Sequence, residues 1–146
     1  MGMSEKPTGY YIDDLKPGML ASYSRTVTGD DIQKFGEVSG DFNPVHFDDE
    51  YAKTTIFRGR IAHGLLTAGY ISTVLGTKLP GAGAIFMGAT IKFKAPVRIG
   101  DEVTATCTVR EVIPEKKRVI CDCVCKVGEN AVIEAEATLM VPSRPA

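Results

Sequence analysis

The stretch Ile61-Ala62-His63-Gly64-Leu65-Leu66-Thr67-Ala68-Gly69-Tyr70-Ile71-Ser72-Thr73-Val74-Leu75 decides the fold. Ile61, Leu65, Ala68 and Ser72 recur at helical spacing, while Leu66, Tyr70, Ile71, Val74 and Leu75 fill the other side. A helix that is apolar nearly all round is expected to be buried all round, so other elements must enclose it. The sequence downstream supplies them. Ala84 to Val97, Glu102 to Ile113, Arg118 to Val127 and Val132 to Val141 carry β-branched residues with partial alternation and read as strands. They are separated at Arg98–Asp101, at Pro114–Lys117 and at Gly128-Glu129-Asn130, where the composition resembles a hairpin turn. One buried helix followed by a meander of about four long strands predicts an α+β fold, with a curved antiparallel sheet wrapped round the helix. A sheet of this size keeps a free edge, so pairing with a second copy of the chain is expected.

Upstream, residues 1–18 hold two Pro and three Gly and read as a loop with one edge segment at Tyr10-Tyr11-Ile12. Leu20 to Val27 reads as a strand. Thr28 then suits a helix N-cap, with Asp30 and Asp31 in the first turn, where carboxylates favour the positive end of the helix dipole. The helix carries Ile32, Phe35, Gly36 and Val38 and stops near Gly40. Asn43-Pro44 favours a turn, because Pro excludes the α region at the residue before it. Asp48 to Ala52 starts another short helix, and residues 143–146 read as a tail. No repeat or linker divides the 146 residues, so one domain over 1–146 is expected.

Charge and composition exclude several classes. Lys and Arg number 17 against 18 Asp and Glu, a net charge of −1 that argues against a nucleic-acid partner. The longest uncharged run, Ile61 to Thr77, is too short and too polar to span a bilayer. MGMSEKPTG lacks the apolar core of a signal peptide, so a cytoplasmic protein without membrane association is the expectation. Cys121, Cys123 and Cys125 alternate in VICDCVCKV and fall on one face of a strand with Val119 and Val127. Strand neighbours two apart are separated by about 6.6 Å, near the upper limit for a disulfide. No zinc-type spacing accompanies them. They read as small core hydrophobes in a reducing compartment.

The chemistry-bearing residues gather round the two histidines. Asp41 and His46 are five positions apart across Asn43-Pro44. A continuous helix would turn them about 140° apart, whereas a proline-fixed loop lets them converge. A carboxylate and an imidazole around one water form an acid/base pair. The residues alone equally allow Asp41 to cap the following turn and His46 to be a satisfied interior histidine. His63-Gly64 opens the long helix, where an unobstructed glycine amide suits a thioester oxygen turning into an enolate; close packing at a helix entry would also explain the glycine. Ser72, two turns on, is either a polar partner from within the helix or a serine bonded back to its own turn.

Together the stretch from Phe35 through Ser39-Gly40-Asp41-Phe42-Asn43-Pro44-Val45-His46, with Ala52-Lys-Thr-Thr55 after it, resembles the signature of MaoC-like (R)-specific enoyl-CoA hydratases. The likeness continues through Ile61-Ala-His-Gly64-Leu65, Gly83-Ala-Ile-Phe86, Ile91-Lys-Phe-Lys-Ala-Pro96-Val97 and Gly100-Asp-Glu-Val103. These are hot-dog-fold proteins that include bacterial enzymes feeding polyhydroxyalkanoate synthesis. The resemblance implies that Asp41 and His46 hold the catalytic water and that Gly64 offers its amide to the thioester oxygen. It also implies that Asn43 shapes the loop and that Ser72 lies near the pair. The implied reaction adds water to a trans-2-enoyl-CoA, giving the (R)-3-hydroxyacyl-CoA. The implied partners are an acyl-CoA thioester and a second subunit in a homodimer, with no cofactor and no metal. A dehydratase acting on carrier-protein or specialised acyl thioesters, a hot-dog thioesterase and a non-catalytic acyl-CoA-binding module are the alternatives. Leu65, Ile85 and Phe86 are candidates for an acyl slot, and Arg58, Arg60, Lys92 and Lys94 for CoA phosphates.

Overall fold

A computed structural model describes residues 9–146. Five strands, β1 (Leu20–Thr26), β2 (Ile85–Phe93), β3 (Glu102–Ile113), β4 (Arg118–Val127) and β5 (Asn130–Met140), form one antiparallel sheet in the order β1-β3-β4-β5-β2. β3, β4 and β5 make the expected meander. β2 does not join it in sequence order: it pairs with β5, with Ile85 opposite Met140 and Phe93 opposite Ile133, which leaves β2 at an edge. Alternation builds the inner face. Val103, Ala105, Cys107 and Val109 of β3 and Val119, Cys121, Cys123 and Cys125 of β4 are all buried. The register shift between Cys125 and Lys126 against β5 interrupts the alternation there, so Val132 and Ile133 both turn inward. The four cysteines are free and buried, and burial pushes the Cys121 and Cys125 thiols up to about 12.

The helix α4 (Gly64–Thr77) lies across this face, packing against β1, β2, β3 and β4. Thr67, Ala68, Tyr70, Ile71, Val74 and Leu75 are buried. The expectation of burial all round is corrected on one side: Leu65, Gly69, Ser72 and Gly76 form an exposed stripe, with Leu65 at 63%. The sheet curves round only part of the helix, and three of those four positions are small or polar.

Three further helices lead into the site: α1 (Gly29–Ser39), α2 (Pro44–Phe47) and α3 (Asp49–Lys53). Thr28 caps α1 through a reciprocal box with Asp31, whose carboxylate is also gripped by Arg25 at 2.6 Å. Gly40, at φ 79°, ends α1 in the left-handed region and turns the chain toward Asp41. The expected edge segment at Tyr10–Ile12 is instead a loop running into a 3₁₀ turn (Ile12–Asp14). It is tied to the rest of the fold by Tyr10 N–H to the Pro80 carbonyl and Ile12 N–H to the Pro142 carbonyl. Residues 1–8 of the predicted N-terminal loop lie outside the described residues. No helix among the described residues is long and apolar enough to cross a membrane.

Candidate active site

The loop after α1 is held by its own side chains. Ser39 Oγ donates to the Phe35 carbonyl at 2.6 Å and accepts the Asp41 amide at 3.1 Å. Asp41 Oδ1 accepts the Asn43 amide at 3.2 Å, and Asn43 Oδ1 accepts the Val45 amide at 3.2 Å. Asn43 is thus the N-cap of α2, extended as its proline neighbour requires, with Pro44 in the first turn. Its side chain is spent on the cap and does not line the cavity described below. His46 therefore sits on a one-turn helix rather than in an open loop. This turn, not the loop alone, swings His46 back over Asp41.

Two consecutive residues then grip His46. Its Nδ1–H donates to the Ile61 carbonyl at 2.8 Å, and its own carbonyl accepts Arg60 Nε–H at 2.7 Å. A backbone carbonyl can only accept, so the bond fixes the tautomer: the proton is on Nδ1 and the lone pair on Nε2. Burial pushes the imidazole below its ordinary value, reinforced by the nearby His63 ring and opposed by the Ile61 bond and the Asp41 charge. His46 is held as a neutral base. His63, the N-cap residue of α4, stacks on it with ring centroids 3.9 Å apart and planes at 29°.

Asp41, His46 and His63 line a cavity of about 420 Å³ and bring one ligand-type atom each to within 4.8 Å of the others. Three donors so placed raise the question of a metal. Each imidazole gives one nitrogen to a backbone carbonyl, which leaves His46 Nε2 and His63 Nδ1 as the ring nitrogens without a protein partner. Gly64 borders the same cavity. As the first residue of α4, its amide has no intrahelical acceptor. A Cβ at position 64 would lie 2.6 Å from the Phe93 ring, so any other residue there must displace that ring.

Apolar walls complete the cavity. Phe57, Leu65, Phe93, Pro96, Val97 and Ile133 line it, and Lys94 stands at the same lining. Of the slot candidates Leu65 is there, whereas Ile85 and Phe86 lie exposed at the start of β2 and do not border it. Of the basic candidates only Lys94 borders it; Arg60 is engaged with His46, and Lys92 faces Glu134 and Glu136 on another surface. Ser72 does not border the cavity. It shares the exposed stripe with Leu65, but seven residues along a helix place it about 10 Å farther up the axis, beyond the cavity lining. Phe57, Phe93 and Pro96 were not foreseen, since residues from loops and strand ends carry no periodicity.

A carboxylate and an imidazole at one apolar cavity beside a helix-entry amide, on a curved sheet wrapped round a helix, are the features of a hot-dog-fold protein. The chain belongs to the MaoC-like domain family, whose model matches residues 14–134. It is 54% identical over 135 residues to the (R)-specific enoyl-CoA hydratase of Rhodospirillum rubrum, covering 92% of this chain and 94% of that one. It is 45% identical to the 3-hydroxybutyryl-CoA dehydratase of Methylorubrum extorquens, covering 92% and 85%. Among solved structures, the unliganded R-hydratase PhaJ1 of Pseudomonas aeruginosa superposes with a TM-score of 0.86 at 39% identity, covering 93% of this chain and 88% of that one.

Proposed function

We propose that this chain is an (R)-specific enoyl-CoA hydratase acting reversibly on trans-2-enoyl-CoA thioesters. The observation that carries the reading is the convergence of Asp41 and His46 in the cavity that the Gly64 amide also borders. A water held between the Asp41 carboxylate and His46 Nε2 faces the β-carbon of an enoyl thioester whose carbonyl oxygen accepts the Gly64 N–H. Nε2 takes one proton from the water as the oxygen bonds to the β-carbon. The alkene electrons move onto the thioester oxygen, where the amide and the helix dipole stabilise the enolate. The enolate then collapses, and the imidazolium returns its proton to the α-carbon. One O–H bond and the alkene π bond break, one C–O and one C–H bond form, and both additions fall on the face that carries His46. Asn43 acts by capping α2, and Ser72 takes no part in this reading. Lys94 is the cation placed to meet a CoA phosphate at the mouth.

Mixing the protein with crotonyl-CoA is expected to bleach the enoyl-thioester absorbance and yield (R)-3-hydroxybutyryl-CoA by chiral analysis. An (S) product, or release of free CoA thiol, overturns the assignment. Turnover confined to carrier-protein thioesters makes it a carrier-protein dehydratase instead.

The functional unit in this reading is a cytoplasmic homodimer. β2 is an edge strand exposed along most of its length, and Ile85, Phe86 and Met87 on it are exposed at 57%, 42% and 49%. Such an edge pairs readily with a copy of itself about a two-fold axis. Light scattering is expected to give twice the 15.7 kDa of one chain, and a monomer mass at micromolar concentration contradicts the dimer.

A further inference from the structure

We propose that His63 is a positioning residue that locks the acid/base pair to the amide-bearing end of α4. The inference rests on the hydratase reading above and assigns His63 no contact with substrate. His63 Nε2–H donates to the backbone carbonyl of Asp41 at 2.9 Å, across 22 positions of sequence. Its ring is stacked on His46 and packed against Phe35 and Phe47, at centroid distances of 4.6 and 5.6 Å. The next residue is Gly64. A single side chain therefore touches the backbone of Asp41 and the ring of His46 while its own backbone leads into the proposed oxyanion donor.

Packing alone does not explain an imidazole at this position. His63 is 2% exposed, and its Nδ1 is buried with no hydrogen-bond partner. A phenylalanine or leucine would fill the space without leaving a buried acceptor unsatisfied. The polar ring is retained for what its N–H and its face do. The N–H fixes the Asp41 loop relative to α4, and the ring covers one face of His46 from water. The charged and titratable groups about the stacked pair are Asp41 on the loop, Arg60 on the segment before α4 and Lys94 at the end of β2. None of them caps Nδ1 of His63.

The chain has two histidines, so a variant at 63 leaves His46 as the sole imidazole signal. H63F keeps a ring but no donor, H63Q keeps an amide donor but no ring, and H63A keeps neither. H63A is expected to lower kcat about 100-fold with KM little changed, as displacement of a catalytic group by an ångström does. H63Q and H63F each recover part of that loss. By NMR, His46 in H63Q is expected to titrate at higher pH than in the unmodified protein, because uncovering the ring restores its hydration and removes its stacked neighbour. The acid limb of kcat/KM shifts the same way. An unmodified protein inactive on crotonyl-CoA defeats the hydratase reading. The positioning role fails separately if that protein is active while H63A turns over normally, or if His46 titrates identically with and without the ring at 63. If H63A does not fold, H63Q and H63F carry the test.

Discussion

His46→Gln and Asp41→Asn are each expected to lower kcat by about 10²–10⁴, the range a positioned acid or base contributes. Glutamine keeps an amide near the imidazole's place but offers no lone pair of comparable basicity, and asparagine keeps the loop-closing oxygen of Asp41 Oδ1 while removing the charge. Both variants should retain the far-ultraviolet dichroism of the parent. The buried sheet is untouched, and His46 is bonded to Ile61 by a group that Gln can mimic. Near-normal turnover in either variant removes that residue from the mechanism. The pH profile gives the same prediction a sign. Only the neutral imidazole is a base, and burial holds His46 below its ordinary value of about 6.5. The acid limb of kcat/KM should therefore lie below pH 6.5 in the unmodified enzyme and disappear in His46→Gln.

Gly64→Ala is the second large effect expected. The added methyl group would meet Phe93 Cε1 at 2.6 Å and Cδ1 at 2.8 Å. Phe93 is 54% exposed, so its ring can swing outward and the fold loses little stability. The amide of residue 64 remains, but it now carries a Cβ where a thioester must lie. A loss of about 10²–10³ in kcat follows, comparable to removing one oxyanion donor. Adding Phe93→Ala separates the two causes. If glycine serves only to admit the Phe93 ring, the double variant regains full rate; if it keeps the approach to the amide open, the rate stays low. Full recovery contradicts the oxyanion role of Gly64.

Much of this was legible in the residues, and the gaps have physical causes. The bounds of β3 and β4 follow from alternation, because both strands have one buried and one exposed face. β2 was read too long. Lys94 and Ala95 both direct their amides to the Val132 carbonyl, and Pro96 follows, so the ladder ends at Phe93. Its place beside β5 rather than β3 is a non-local choice with no periodic signature. The pair Asp41 and His46 was readable from the proline between them, although the one-turn helix that closes it was not. Ser72 was expected near the pair from the family resemblance alone, and it does not border the cavity. His63 was noticed for the glycine beside it. Its contact with the Asp41 carbonyl joins segments 22 residues apart and exists only once the chain is folded.

With four residues, α2 is too short to be stable by its own hydrogen bonds, so its order is borrowed from Arg60, Ile61 and His63. The turn that carries His46 thus depends on contacts from outside itself, whereas the five-stranded sheet is held by its own ladder. Adapting this enzyme to hot process streams would begin with stiffening residues 53–62, which brace that turn from outside, and would leave the interior of the sheet alone.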